Sequence, residues 1–239
     1  MVASATHKDT LWVHNDSGGA PQIYAIRLDG SVRSVHKLSG ANAEDWEDMT
    51  LLPGVDRDTL IVADFTDNKL RRENVTLYRF AEPDSVATDS TITGVETLTV
   101  TYSDGSPHNA ETLVSDPATG AVGIVTKDAG STQLFVILSP SAGANTAQLS
   151  KSGFFPGGLA TAGDVSRDGR RLAMRDYAGA WIWQARPGDS WMDTLSSPPC
   201  EVSLIRERQG ETLAFAPDGS VLYTLSEGDN QRIYRYELR

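Results

Sequence analysis

Acidic residues recur at matching places in this chain, and their spacing points to one shared site. Four segments carry a leading acid, a short β-prone run and a Pro, Gly or Asp-Gly turn: residues 47–54, 111–120, 163–169 and 211–219. The leading acids are Glu47 (with Asp48 beside it), Glu111, Asp164 and Glu211. Carboxylates facing one axis repel one another, so they must share protons, pair with cations or hold a metal. Hard oxygen donors in a wide ring suit Ca²⁺ first and Mg²⁺ second, because calcium tolerates many irregular oxygen ligands. These four acids are therefore the candidate metal ligands. The competing reading is that they cap strands and bond the backbone of neighbouring units.

A second apolar run follows each turn, at 59–63, 121–126, 171–174 and 221–225, and polar residues end these runs. In a hairpin, the start of one strand and the end of the next lie at the same end. His14, Asp16, Asp64, Asn68, Lys127, Arg175, Asp176 and Glu227 are thereby expected at the mouth that holds the acids. His14 and His108 are candidate general bases, since histidine titrates near neutrality. Asp64, Lys127 and Arg175 complete the candidate catalytic set, with Lys127 and Arg175 expected side by side as donors to an anion. Asp16, Trp46, Asn68, Asp176 and Glu227 are the candidate substrate contacts. No nucleophile elbow accompanies any serine, so a Ser-His-Asp triad is not assigned.

The elements that must position these groups are short antiparallel meanders. A third run rich in Tyr, Phe, Trp and Ile follows each hairpin, at 75–80, 133–138, 180–184 and 232–238. The N-terminal stretch repeats the pattern with runs at 11–14, 23–28 and 32–38. Radial repetition of four-stranded units is the signature of a β-propeller. The expectation is a single all-β domain over 1–239, an antiparallel five-bladed propeller. Its first blade looks incomplete at the N-terminus, and residues 1–5 are expected to pair with 233–238. Six blades is the alternative, with the loosely patterned stretches 84–102 and 187–207 as the place for another.

With 21 Lys+Arg against 32 Asp+Glu, the net charge of −11 disfavours a phosphate backbone as partner. No apolar run approaches the ~20 residues of a membrane span. One cysteine, Cys200, excludes an intramolecular disulfide framework and a multi-thiolate zinc site. Residues 1–10 lack the pattern of a signal peptide, which leaves a mature fragment of an exported protein or a cytoplasmic one. A monomer acting on a small molecule is expected.

The runs Trp12-Val-His-Asn-Asp-Ser-Gly-Gly19, Glu44-Asp-Trp-Glu-Asp48, Asp64-x-x-Asp-Asn68 with Arg71-Arg72, His108-Asn-Ala-Glu111 and Gln209-Gly-Glu211 cover nearly the whole chain in order. This series resembles exported bacterial propeller proteins near the propeller phytases and the "esterase-like" phytase-related group, most of uncertain function. The resemblance implies a propeller and a secreted or extracytoplasmic location. The residues themselves suggest metal-assisted hydrolysis of a small ester, lactone or phosphate. A non-catalytic module binding a sugar or peptide, and a scaffold with a structural ion, are the rival readings.

Overall fold

The computed structural model describes residues 1–128 and 131–238. Among these, strands dominate: β1 (Val2–Ala3), β2 (Thr10–His14), β3 (Gln22–Arg27), β4 (Val32–Leu38), β5 (Trp46–Leu52), β6 (Thr59–Asp64), β7 (Val75–Ala81), β8 (Ser90–Ile92), β9 (Glu96–Tyr102) and β10 (Ala110–Ser115). They continue as β11 (Val122–Thr126), β12 (Gln133–Ile137), β13 (Gly143–Ser152), β14 (Ala162–Val165), β15 (Arg171–Arg175), β16 (Ala180–Gln184), β17 (Cys200–Val202), β18 (Gly210–Phe215), β19 (Val221–Ser226) and β20 (Tyr234–Glu237). One four-residue helix, α1 (Trp191–Thr194), interrupts them and is closed at its start by a Ser190–Asp193 capping box. No helix among the described residues is long and apolar enough to cross a membrane.

The strands form sheets in the orders β1-β2-β3-β4-β8, β10-β11-β12-β13-β9-β7-β6-β5, β14-β15-β16-β17 and β18-β19-β20. Each contains one or two antiparallel meanders that begin at β1, β5, β10, β14 and β18. Turn chemistry makes these reversals. Gly120, Gly169 and Gly219 all sit at positive φ, which costs glycine nothing. The first strands contact one another in the order β1, β5, β10, β14, β18 and back to β1. The apolar core follows the same circuit. One cluster lies between the first and second meanders, around Trp12, Trp46 and Tyr78. Others join the second to the third through Phe65, Leu98 and Phe135, and the third to the fourth through Val114, Trp183 and Trp191. Alanines 162, 173 and 180 meet Leu213 and Phe215 between fourth and fifth, and Met1 and Leu11 meet Tyr223 between fifth and first.

The first meander opens on only the two-residue β1, in keeping with an incomplete first strand, and the fifth has three strands. Two expectations are corrected. The chain ends do not share a ladder: β1 pairs with β2 and β20 with β19, and the ends meet only where Met1 and Ile233 join one apolar cluster. The stretches 84–102 and 187–207 add outer strands to existing sheets and make no sheet of their own. Two of these outer contacts are parallel, β4 with β8 and β9 with β13, because long connections carry the chain back before each strand.

Beneath the fifth meander lies a buried ion pair. Arg175 and Glu207 have side chains 1% exposed and meet at 2.5 Å. The guanidinium also donates to the carbonyls of Asp176 and Thr212, and Glu207 accepts from the Thr224 hydroxyl. Position 210 must be glycine here, since a Cβ would run into the guanidinium. Removing one partner strands a buried charge, which costs about 3–5 kcal/mol, whereas replacing both by apolar groups costs far less. Arg175→Met is expected to lower the urea-unfolding free energy by about 3–5 kcal/mol, and adding Glu207→Leu to recover most of that. A double variant no better than the single one would show that the pair matters for something other than its charges.

Candidate active site

Three first strands carry a bulge at the same place. The ladder shifts between Trp46 and Asp48 in β5, between Ala110 and Thr112 in β10, and between Gly210 and Thr212 in β18. The residue caught in each bulge is a glutamate: Glu47, Glu111 and Glu211. A bulge re-aims a side chain that regular pleating would have turned elsewhere. All three thus sit where first strands start and second strands end. β14 has no such shift, and its matching residue is Thr161, whose hydroxyl donates to the Gly210 carbonyl at 2.8 Å.

A cavity of about 530 Å³ opens at this end. Its walls include His14, the turn Asn15–Gly19, Glu47, Glu211 and Glu227, and its apolar lining includes Val13 and Leu225. At its edge Asp16, Asp45 and Glu47 each offer a carboxylate oxygen, all within 4.8 Å of one another. Asp45 is aimed there by Asp64, whose carboxylate accepts the N–H groups of Glu44 (2.8 Å) and Asp45 (3.2 Å). Lys127 and Glu111 are not among the walls; Lys127 pairs with Glu111 and donates to the Tyr177 hydroxyl at 2.8 Å. That hydroxyl donates in turn to Glu211 at 2.7 Å.

Crowding of acids away from water sets the protonation. Burial, then the charge of Glu111, pushes the Glu47 carboxyl up to about 9. Glu111 rises to about 7 through burial, in spite of Lys127. Glu227 rises to about 7 through burial and its hydrogen bond with Glu211. Asp16 and Asp45 are also raised, chiefly by burial. Burial takes the His14 imidazole down to about 3, so it is neutral, with Nδ1 2.9 Å from the Asn15 carbonyl and its ring edge-on to Trp46.

Several expected site residues lie elsewhere. Asp164 stands three residues past the repeat position: its buried carboxylate accepts from Val165 and from Phe215 of the next first strand. Arg175 is committed to Glu207 and does not stand beside Lys127 as a second anion donor. His108 lies between Asp104 (2.9 Å) and Asp128 (3.3 Å), packed on Tyr102 and Phe135, and it is not among the cavity's walls. Asn68 bonds Asn109. Asp176 closes a turn by accepting from Gly158, Ala178 and Gly179. Asp64 pairs with Arg72 and acts on the cavity only through the Asp45 segment. Trp46 is buried beneath His14, its indole N–H given to Asn42. Reading along the chain missed Asp45, Tyr177 and Gln209. Tyr177 and Gln209 hold the positions matching Lys127 and Asn109 in neighbouring repeats, a signal visible only once the bulges set the alignment.

No family model matches this chain, and no curated protein is significantly similar to it.

The raised carboxyls make a pH prediction. Folded Glu47 keeps a proton that the unfolded chain has released, so its contribution is full below the ordinary value of 4.5 and is lost as pH rises through about 9. In metal-free buffer the wild-type unfolding midpoint should fall more steeply across that interval than that of Glu47→Gln. Parallel curves would show that Glu47 ionises normally.

Proposed function

We propose that the protein is a five-bladed β-propeller whose acidic mouth holds Ca²⁺ and hydrolyses a small ester, lactone or phosphate. The circuit of first strands and the five cores between consecutive meanders support the propeller. The observation that carries the function is the Asp16, Asp45 and Glu47 group at the cavity edge. Its donors are all oxygen and come from two segments, the β2–β3 turn and the start of β5, which suits a hard cation with irregular coordination. Burial, then the charge of Glu111, holds the Glu47 carboxyl up, and a divalent cation beside it would favour the charged form. A bound Ca²⁺ supplies Lewis-acid polarisation of a substrate oxygen.

The chain's own groups do the rest. Lys127 limits the negative potential around Glu111 and lets an anionic substrate approach. Neutral His14 gives its Nδ1–H to the Asn15 carbonyl, which leaves Nε2 as one hydrogen-bond acceptor on the wall. The series of motifs similar to exported phytase-related propellers supports an extracytoplasmic setting. The apolar lining residues Val13 and Leu225 also favour a second reading, a non-catalytic module for a sugar or peptide.

Ca²⁺ is expected to raise the unfolding midpoint by mass action, about 2.7 kcal/mol at a hundredfold excess over Kd. Asp16→Asn with Asp45→Asn should abolish that gain. Wild type is then assayed against aryl esters, lactones and phosphate monoesters with and without Ca²⁺. Stabilisation without turnover would replace the hydrolase with the binding module, and no calcium effect at millimolar concentration would reject the metal site.

A further inference from the structure

Four of the meanders carry a fourth strand antiparallel to the third: β4 on β3, β9 on β7, β13 on β12 and β17 on β16. The fifth ends at β20, and among the described residues no strand pairs with its outer edge. Such an edge is a row of unpaired N–H and C=O groups, a template for another strand.

Register shows what this edge offers. Leu238 donates its N–H to the Ser220 carbonyl at 2.8 Å. Val221, opposite Glu237, turns its own carbonyl the other way, to the Ala216 amide at 2.8 Å. Antiparallel ladders alternate between bonded and unbonded pairs. The backbone groups of residues 234, 236 and 238 therefore face β19, and those of Arg235 and Glu237 face outward. Side chains alternate as well. Arg235 and Glu237 share one face, joined Nη1 to Oε1 at 2.7 Å, with side chains 51% and 75% exposed. Tyr234, Tyr236 and Leu238 share the other face, all of them half-buried.

A two-fold axis through Tyr236 lays this strand antiparallel to its own copy. Arg235 then stands opposite Glu237 of the second copy, and Glu237 opposite its Arg235. All four have outward backbone groups, so each pair exchanges both N–H···O bonds. On the other face Tyr236 meets its own equivalent, and Tyr234 meets Leu238. Charge selects this register. A slip of two residues one way sets Arg235 against Arg235, and the other way Glu237 against Glu237. Like charges directly opposite destabilise a ladder, whereas opposite charges support it.

We propose that a second copy of this chain pairs along β20, so that each copy supplies the fourth strand of the other's fifth meander. The pairing is independent of the hydrolase reading. The ladder is short, so the dimer is weak and forms as concentration rises.

The test is sedimentation of the full chain from micromolar to millimolar concentration, with amide hydrogen exchange measured at both ends of that range. Wild type should pass from monomer to dimer, and the Arg235 and Glu237 amides should gain protection as it does. Arg235→Glu alone, or Glu237→Arg alone, sets like charges opposite each other and should leave a monomer. Mixed in equal amounts, these two variants are complementary and should dimerise again. The doubly swapped chain should dimerise by itself. A wild type that stays monomeric would overturn the proposal. So would a dimer whose Arg235 and Glu237 amides exchange as fast as in the monomer, or single variants that dimerise as well as wild type. The wild-type curve and its exchange decide the matter if a variant does not fold.

Discussion

Neighbouring first strands in this protein share no ladder, so side chains must hold them in register. Buried Asp48 accepts from Met49 on its own strand and, at 2.9 Å, from Leu113 on the next. Asp164 does the same with Val165 and, at 2.8 Å, with Phe215. Burial raises the two carboxyls to about 6 and about 7, and backbone N–H groups that solvate the charge oppose that rise at both. Hydroxyls add to the stitching: Thr50 with Ser115, Thr66 with the Ala110 carbonyl, Thr161 with the Gly210 carbonyl. The distance between Glu47, Glu111 and Glu211 follows from this registration.

Bulges and stitches divide the acids into two kinds. Asp48 and Asp164 point between strands and are satisfied by the chain itself. Glu47 and Glu211 point into the cavity, where satisfaction must come from a proton, a base or a ligand. The same residue type therefore serves as fastener or as reagent, and one inserted residue in the strand decides which. A deeply buried ion pair, Arg175 with Glu207, sits next to the site and takes no part in it, which shows how little burial alone says about function.

Much of the architecture was legible because turn chemistry and strand composition repeat. The second runs at 171–174 and 221–225 fall almost on β15 and β19. The site was legible in part. Glu47, Glu111 and Glu211 could be chosen because each leads a visible strand. Asp164 was chosen by the same cue and lies elsewhere, because its meander has no bulge and the acid stands three residues further in than Thr161. Lys127 and Arg175 looked equivalent by distance from their turns. Ladder register puts Arg175 opposite Ala162 and makes Tyr177 the true counterpart of Lys127. Hydrogen-bond register is a through-space property that adjacent letters do not encode, and it is what separated these cases.

The parallel contact of β9 with β13 joins the second and third meanders into one eight-stranded sheet. At the opposite extreme, β1 is two residues long and the fifth meander has three strands. The cavity walls come mainly from the first and fifth meanders, through Val13 to Gly19 and Leu225 to Asp229, and Glu47 is the contribution of the eight-stranded sheet. A ligand there would bridge the two meanders whose contact closes the circuit of first strands.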